Sequence, residues 1–322
     1  MNPFARLPKA IFLIAFIFSA ASSVVAAEFP SKTIQIINPY PAGAVTDILA
    51  RLIADKASAK FGQSVIVVNK TGGGGAVGIK AVKAAPADGY SVLIAPPPIA
   101  LIPLARKDIG FTLDDFTALN LIGRTPAVMI VKGDSPWKTL EDLIADGKKK
   151  PGELTFGTPG SGTSGHFTME LFQKETGVKF IHVPLGGEAP VASGIIGGNI
   201  HTSIIGLGTA RPHLVAGGLR ALAVAADKRI DEFPAVPTTF EKGFSAVEAS
   251  PWFGFFVRNG TDKSVVNKLA NGFRDVLEDQ ELRAKIVKAG VSIDNLGVAE
   301  AAQFLAKELK RWTEVAKAAK IN

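Results

Sequence analysis

The chain has 322 residues, with 36 basic and 29 acidic side chains, no cysteine and 47% hydrophobic residues. The lack of cysteine excludes a disulfide framework, thiolate chemistry and a lipid anchor on a cysteine, and a dispersed net charge of +7 with no basic, aromatic-interleaved stripe excludes a nucleic-acid surface. The 33 glycines and 20 prolines, set in so apolar a chain, describe a globular protein rich in tight turns.

Arg6 and Lys9 precede the uncharged run Ala10–Ala20, and Val25-Ala26-Ala27 places small residues at a cleavage site. This is the pattern of a secretory signal peptide over residues 1–27. Its apolar run falls short of the roughly 20 residues that a membrane-spanning helix needs. The mature chain is expected to begin near Glu28, exported and not inserted in a membrane.

Beyond that point strands alternate with helical patterns. Strands are expected over 33–38, 64–69 and 90–95, and helices over 46–61 and 76–84. The pattern restarts after Arg124, with strands over 128–131, 154–157, 179–183, 200–205 and 221–225. Between them fall helices over 139–147, 160–176, 190–197 and 209–216. A strand over 252–258 could return to the first sheet, followed by helices over 264–277, 280–289 and 299–318. Leu305, Leu309, Trp312 and Ala316 recur at helical spacing, which reads Trp312 as core. Such alternation predicts an α/β fold with parallel pairing. Two lobes are expected, the second inserted in the first: residues 28–125 plus 250–322, and 126–249. The crossings near 123–128 and 248–256 would form a hinge, and the cleft between lobes is where a small ligand is buried.

Two strand-to-helix loops carry the chemistry. The first runs Tyr40, Pro41, Ala42, Gly43, Ala44, Val45, Thr46, Asp47; the second runs from Thr158 through Ser161, Gly162, Thr163 and Ser164 to His166. The first amides of a helix lack intrahelical partners and sit at the positive end of its dipole. Small residues let an anion approach them, so one loop from each lobe could hold a carboxylate. Thr46 and Ser161 to Ser164 are the N-cap candidates. Gly160, Gly162, Gly165 and Gly73, Gly75, Gly78 both spell the dinucleotide-binding pattern, but neither has the supporting acidic residue or a P-loop lysine. The four histidines fall into no metal-binding spacing, and no nucleophile–base pattern occurs. No cofactor, no metal and no enzymatic activity are expected.

At these loops the sequence resembles the substrate-binding receptors of tripartite tricarboxylate transporters, the Bug family. The likeness is carried by Tyr40-Pro41-Ala42-Gly43 through Thr46-Asp47, Gly73–Gly78, Asp88-Gly89-Tyr90, Gly160–His166, His182-Val183-Pro184, residues 219–224 and Val236-Pro237-Thr238. It implies a two-lobed periplasmic binding protein of the Venus-flytrap type (type II). Such a protein takes one carboxylate ligand per monomer and serves integral membrane transporter subunits from the periplasm; a receptor feeding a sensor kinase would share every motif. It also implies that the stretch after His182-Val183-Pro184 lines the cleft, adding Leu185, Gly186, Glu188, Ala189 and Pro190 to the site.

Several positions depart from the family's pattern. Ala42-Gly43-Ala44-Val45 replaces a Pro-Gly-Gly-Pro, Leu185-Gly186-Gly187 replaces Tyr-Lys-Gly, and Ile102-Pro103 replaces Asn-Pro. A phenol and an ammonium are thereby lost from the cleft. Burying polar ligand groups without partners costs about 1–3 kcal/mol each. The expected ligand is therefore an apolar-bodied carboxylate, aromatic or longer aliphatic, rather than citrate.

Overall fold

A computed structural model describes residues 28–319 and 321; the expected signal peptide, residues 1–27, lies outside the described residues. The chain opens with β1 (Ile34–Asn38), α1 (Val45–Phe61), β2 (Val65–Asn69), α2 (Ala76–Ala84), β3 (Ser91–Ala95), α3 (Pro98–Ala105) and β4 (Phe116–Arg124). It continues with β5 (Ala127–Lys132), α4 (Leu140–Lys149), β6 (Thr155–Thr158), α5 (Ser164–Thr176), β7 (Ile181–Pro184), α6 (Glu188–Ile196), β8 (Thr202–Gly206), α7 (Leu207–Val215) and β9 (Leu219–Val224). It closes with β10 (Trp252–Arg258), α8 (Lys263–Val276), α9 (Gln280–Lys288), β11 (Ser292–Leu296) and α10 (Val298–Ala319).

Two sheets result, one in the order β11-β4-β10-β3-β1-β2 and the other β7-β6-β8-β5-β9. The apolar run of β1 suits a strand covered on both faces. On one face lie Leu49, Ala50, Ile53 and Ala57 of α1, spaced for a single helical stripe, together with Val266, Leu269, Ala270, Phe273 and Val276 of α8. Phe273 stacks on Phe255 of β10 with ring centroids 4.4 Å apart and meets Phe61 edge-on at 5.3 Å. Truncating such a phenylalanine to alanine costs about 3–5 kcal/mol.

Pairing is parallel only in part. β1 runs parallel to β2 and β3, and β6 to β7 and β8, as strands joined by crossover helices must. β10 is antiparallel to both β3 and β4, and β5 is antiparallel to β8 and β9. The parallel pairing expected of the opening strand–helix–strand run holds for β1, β2 and β3, whereas β5 and β10, which follow the two passages between sheets, run against their neighbours. The two passages lie side by side: the Thr125 amide donates to the Pro251 carbonyl at 2.9 Å, and the Ala127 amide to the Ala249 carbonyl at 3.3 Å. The last helix touches both halves. Ala301 and Leu305 pack with β3 and β10 residues, whereas Trp312 meets Phe167 of α5 edge-on at 5.8 Å.

Candidate functional site

The first loop is held by one buried carboxylate. Asp47 Oδ2 accepts from the Gly43 amide and from Arg51 Nε, both at 3.0 Å, while its Oδ1 accepts from Asn69 Nδ2 at 2.9 Å. Burial alone would raise the Asp47 pKa, but these three donors outweigh it and hold the group below the usual carboxylate range. Asn69 and Asn38 also donate to the Tyr40 carbonyl, at 3.0 and 3.1 Å. Tyr40 is buried, and its hydroxyl donates to the Gly74 carbonyl at 2.8 Å.

Thr46 is not the N-cap. Helix α1 begins at Val45 after Ala44, with no side-chain cap, and the Thr46 hydroxyl is buried without a partner. Asp47 takes the capping role by reaching back to the Gly43 amide, so Thr46 falls inside the first turn. Pro41, Ala42 and Gly43 are exposed at the loop's crest, and Ala44 is half-buried.

The second loop is fixed by two histidines. Helix α5 begins at Ser164 after Thr163, whose hydroxyl donates to the Gly160 carbonyl at 2.8 Å rather than capping the helix. His166 Nδ1 accepts from the Gly162 amide at 3.3 Å. Thr158 is fully buried, and its hydroxyl is shared between His182 Nε2 at 2.6 Å and the Gly160 backbone. Thr158 therefore positions the loop from beneath. Burial, aided by the neighbouring His182, lowers the His166 pKa to about 4, and burial lowers that of His182. Ser161 is exposed, and Gly162 is buried against α3, where a Cβ would lie 2.9 Å from the Ile102 Cα.

The third stretch converges on the same place. Glu188 opens α6 and accepts from the Gly206 amide at 3.0 Å and from the Thr209 hydroxyl at 2.7 Å, tying the start of α6 to that of α7. Burial raises its pKa against those two donors, and burial with the Glu188 charge raises that of Tyr40. Leu185 packs onto the core beneath α6, and Gly186, Ala189 and Pro190 are exposed.

The two halves meet through glycines. A Cβ on Gly160 would lie 3.0 Å from the Gly74 Cα; one on Gly208 would lie 2.7 Å from the Ala289 carbonyl oxygen and 3.0 Å from Val45. The run Gly72–Gly75 thus serves contact between chain segments. Beside this seam an open hollow of about 270 Å³ is lined by Gly73, Gly74, Arg106, Pro159, Gly160, Ser161, Pro184 and Gly186. Arg106, Gly208 and Gly290 went unread in the sequence. Arg106 follows an apolar helix with no motif around it, and an isolated glycine does not reveal which backbone approaches it.

The helix starts divide by how they are capped. Helices α4, α8 and α9 carry side-chain caps from Thr139, Asp262 and Asp279, whereas α2, α3 and α7 start with none, and so do α1, α5 and α6 of these loops. Their first amides are left for a guest or for water. Among the described residues no group of three or more His, Cys, Asp or Glu could hold a metal ion, and no helix is long and apolar enough to cross a membrane.

Two mixed sheets covered by helices, joined by paired crossings and meeting at a glycine seam, define the two-lobed periplasmic binding protein fold. Its solved likenesses include a structure of a periplasmic transporter, 32% identical with a TM-score of 0.85. Residues 49–321 match the TctC family, described as the tripartite tricarboxylate transporter family receptor. The chain belongs to that family and is a solute-binding receptor. It is 32% identical to protein BugT of Bordetella pertussis over 92% of this chain and 91% of the relative. It is also 34% identical to a UPF0065 protein of Cupriavidus necator over 88% and 86%. Among solved structures, the periplasmic binding protein BugD is 26% identical with a TM-score of 0.86, covering 91% of this chain and 99% of that one. Rpa4515 of R. palustris, solved with adipate, is 32% identical with a TM-score of 0.86 and the same coverage.

Proposed function

We propose that this receptor captures an apolar-bodied dicarboxylate in the periplasm and delivers it to the integral membrane subunits of a tripartite transporter. The observation that carries the reading is the absence of side-chain caps at the starts of α1, α5 and α6, the strand-to-helix loops that bear the family's motifs. Unpaired amides at helix starts are complementary to a carboxylate. The departures Leu185-Gly186-Gly187 and Ile102-Pro103 from the family's more polar pattern suit a ligand with an aliphatic or aromatic body. Adipate, bound by Rpa4515, is a molecule of this kind.

On this reading residues 1–27 are removed at export, and the mature monomer comprises a lobe of residues 28–125 plus 250–322 and a second lobe of 126–249. Tyr40, Thr46, Ser161, Ser164 and the start of α6 face the ligand, while Asp47, Thr158 and His166 hold the loops in place. The role is capture and release rather than turnover. Calorimetric titration of the mature chain tests it. Adipate or an aromatic diacid binds with a micromolar or tighter Kd, and at 100 times that Kd it stabilises the fold by about 2.7 kcal/mol. Tight citrate binding with indifference to both diacids would reject the ligand class.

A further inference from the structure

The hollow beside the glycine seam has walls from both halves of the chain, and Arg106 is the only ionisable side chain on them. Arg106 ends α3, the apolar helix whose Ile102 packs against Gly162 of the second loop. Among the described residues its guanidinium makes no hydrogen bond, and its one carboxylate neighbour, the well-exposed Asp108, stands 3.8 Å away. Arg124, by contrast, is held by Asp294 through two bonds of 2.7 and 3.0 Å. The amides of Gly74, Ser161 and Gly186 border the same hollow without an acceptor among the described residues.

A guanidinium with unused donors beside unpaired amides fits a carboxylate, which can take two parallel bonds from arginine. We propose that Arg106 anchors the second carboxylate of the ligand, so that this chain selects diacids over monoacids of the same chain length. This assignment rests on the carboxylate reading of the cleft and specifies which end of the guest Arg106 holds.

The test is calorimetric titration of the mature chain and of R106Q with adipate, its monomethyl ester and hexanoate. The unmodified chain prefers adipate over both single-charge acids. R106Q loses about tenfold or more of its adipate affinity and keeps its hexanoate affinity, so the preference collapses. R106K, which keeps the charge but not the fork, falls between the two. The adipate affinity of the unmodified chain weakens with added salt more steeply than that of R106Q. Unchanged circular dichroism and Tm for R106Q confirm that the exposed substitution leaves the fold alone. If R106Q lowers adipate and hexanoate affinity equally, or neither, the assignment of Arg106 is overturned while the receptor reading stands. If the unmodified chain binds none of the three acids, the carboxylate reading falls and this assignment falls with it.

Discussion

His166 and His182 stack with ring centroids 4.2 Å apart and planes inclined by 22°. The pair joins the start of α5 to β7, with Phe156 stacked on His182 at 4.9 Å. His166 Nδ1 must be unprotonated to accept the Gly162 amide, and the two rings would repel each other if both were charged.

This geometry predicts acid sensitivity with a definite sign. The His166 pKa is lowered from 6.5 to about 4, so the unfolded chain takes up its proton first as pH falls. Stability is full above about pH 6.5 and is lost between there and about pH 4, by up to about 3 kcal/mol from this group. Thermal melts across that range should show the slope, and H166Q should flatten it; equal slopes in both chains would contradict the assignment.

Thr46 offers a separation of stability from binding. Its hydroxyl is buried without a partner, a cost of about 1–3 kcal/mol in the empty chain. T46V is therefore expected to leave the unliganded Tm unchanged or raise it, while weakening diacid affinity about tenfold by removing a donor to the guest. A lowered Tm with undiminished affinity would show that the hydroxyl serves the fold instead.

Asp47 should behave in the opposite way. Its carboxylate ties Gly43, Arg51 and Asn69 together, so D47A leaves three donors unpaired and costs about 2–4 kcal/mol by denaturant unfolding. Ligand affinity falls as well, because the first loop loses the bond that shapes it.

Closure is open to test at Gly208. Replacing a helical glycine by alanine ordinarily stabilises a helix by about 1 kcal/mol. Here the added methyl would stand 2.7 Å from the Ala289 carbonyl oxygen, across the seam. G208A is expected to keep or raise the Tm without ligand, yet to bind more weakly and remain expanded by small-angle scattering when ligand is added. Normal compaction would remove the seam from the closing motion.

Much of the fold was legible because its helices carry one apolar stripe and its strands are short apolar runs between glycines and prolines. The strand at 252–258 could be seen to return to the first sheet, and Trp312 could be read as core; it is 2% exposed. Three elements were not legible. Helix α3 hides behind Pro96-Pro97-Pro98, because prolines in a first turn look like a breaker although the missing amides have no partner there anyway. Strand β4 is interrupted by Asn120 and Gly123, and that glycine is needed because a Cβ there would lie 1.8 Å from the Ser292 carbonyl oxygen. Strand β11 is a partly exposed edge with polar residues, which gives no apolar run to read. At the site, the two loops announced themselves by composition. Arg106 and the glycine seam did not, since their meaning depends on which segments the fold brings together.

Amides at the starts of α1 and α5 are the proposed seat of the guest's first carboxylate. A crystal structure of the mature chain with adipate measures this most directly. Carboxylate oxygens are expected within about 3 Å of the first-turn amides of both helices, with the other carboxylate at Arg106. Adipate found instead in the hollow lined by Trp137, Ile200 and His201, away from both helix starts, would contradict it.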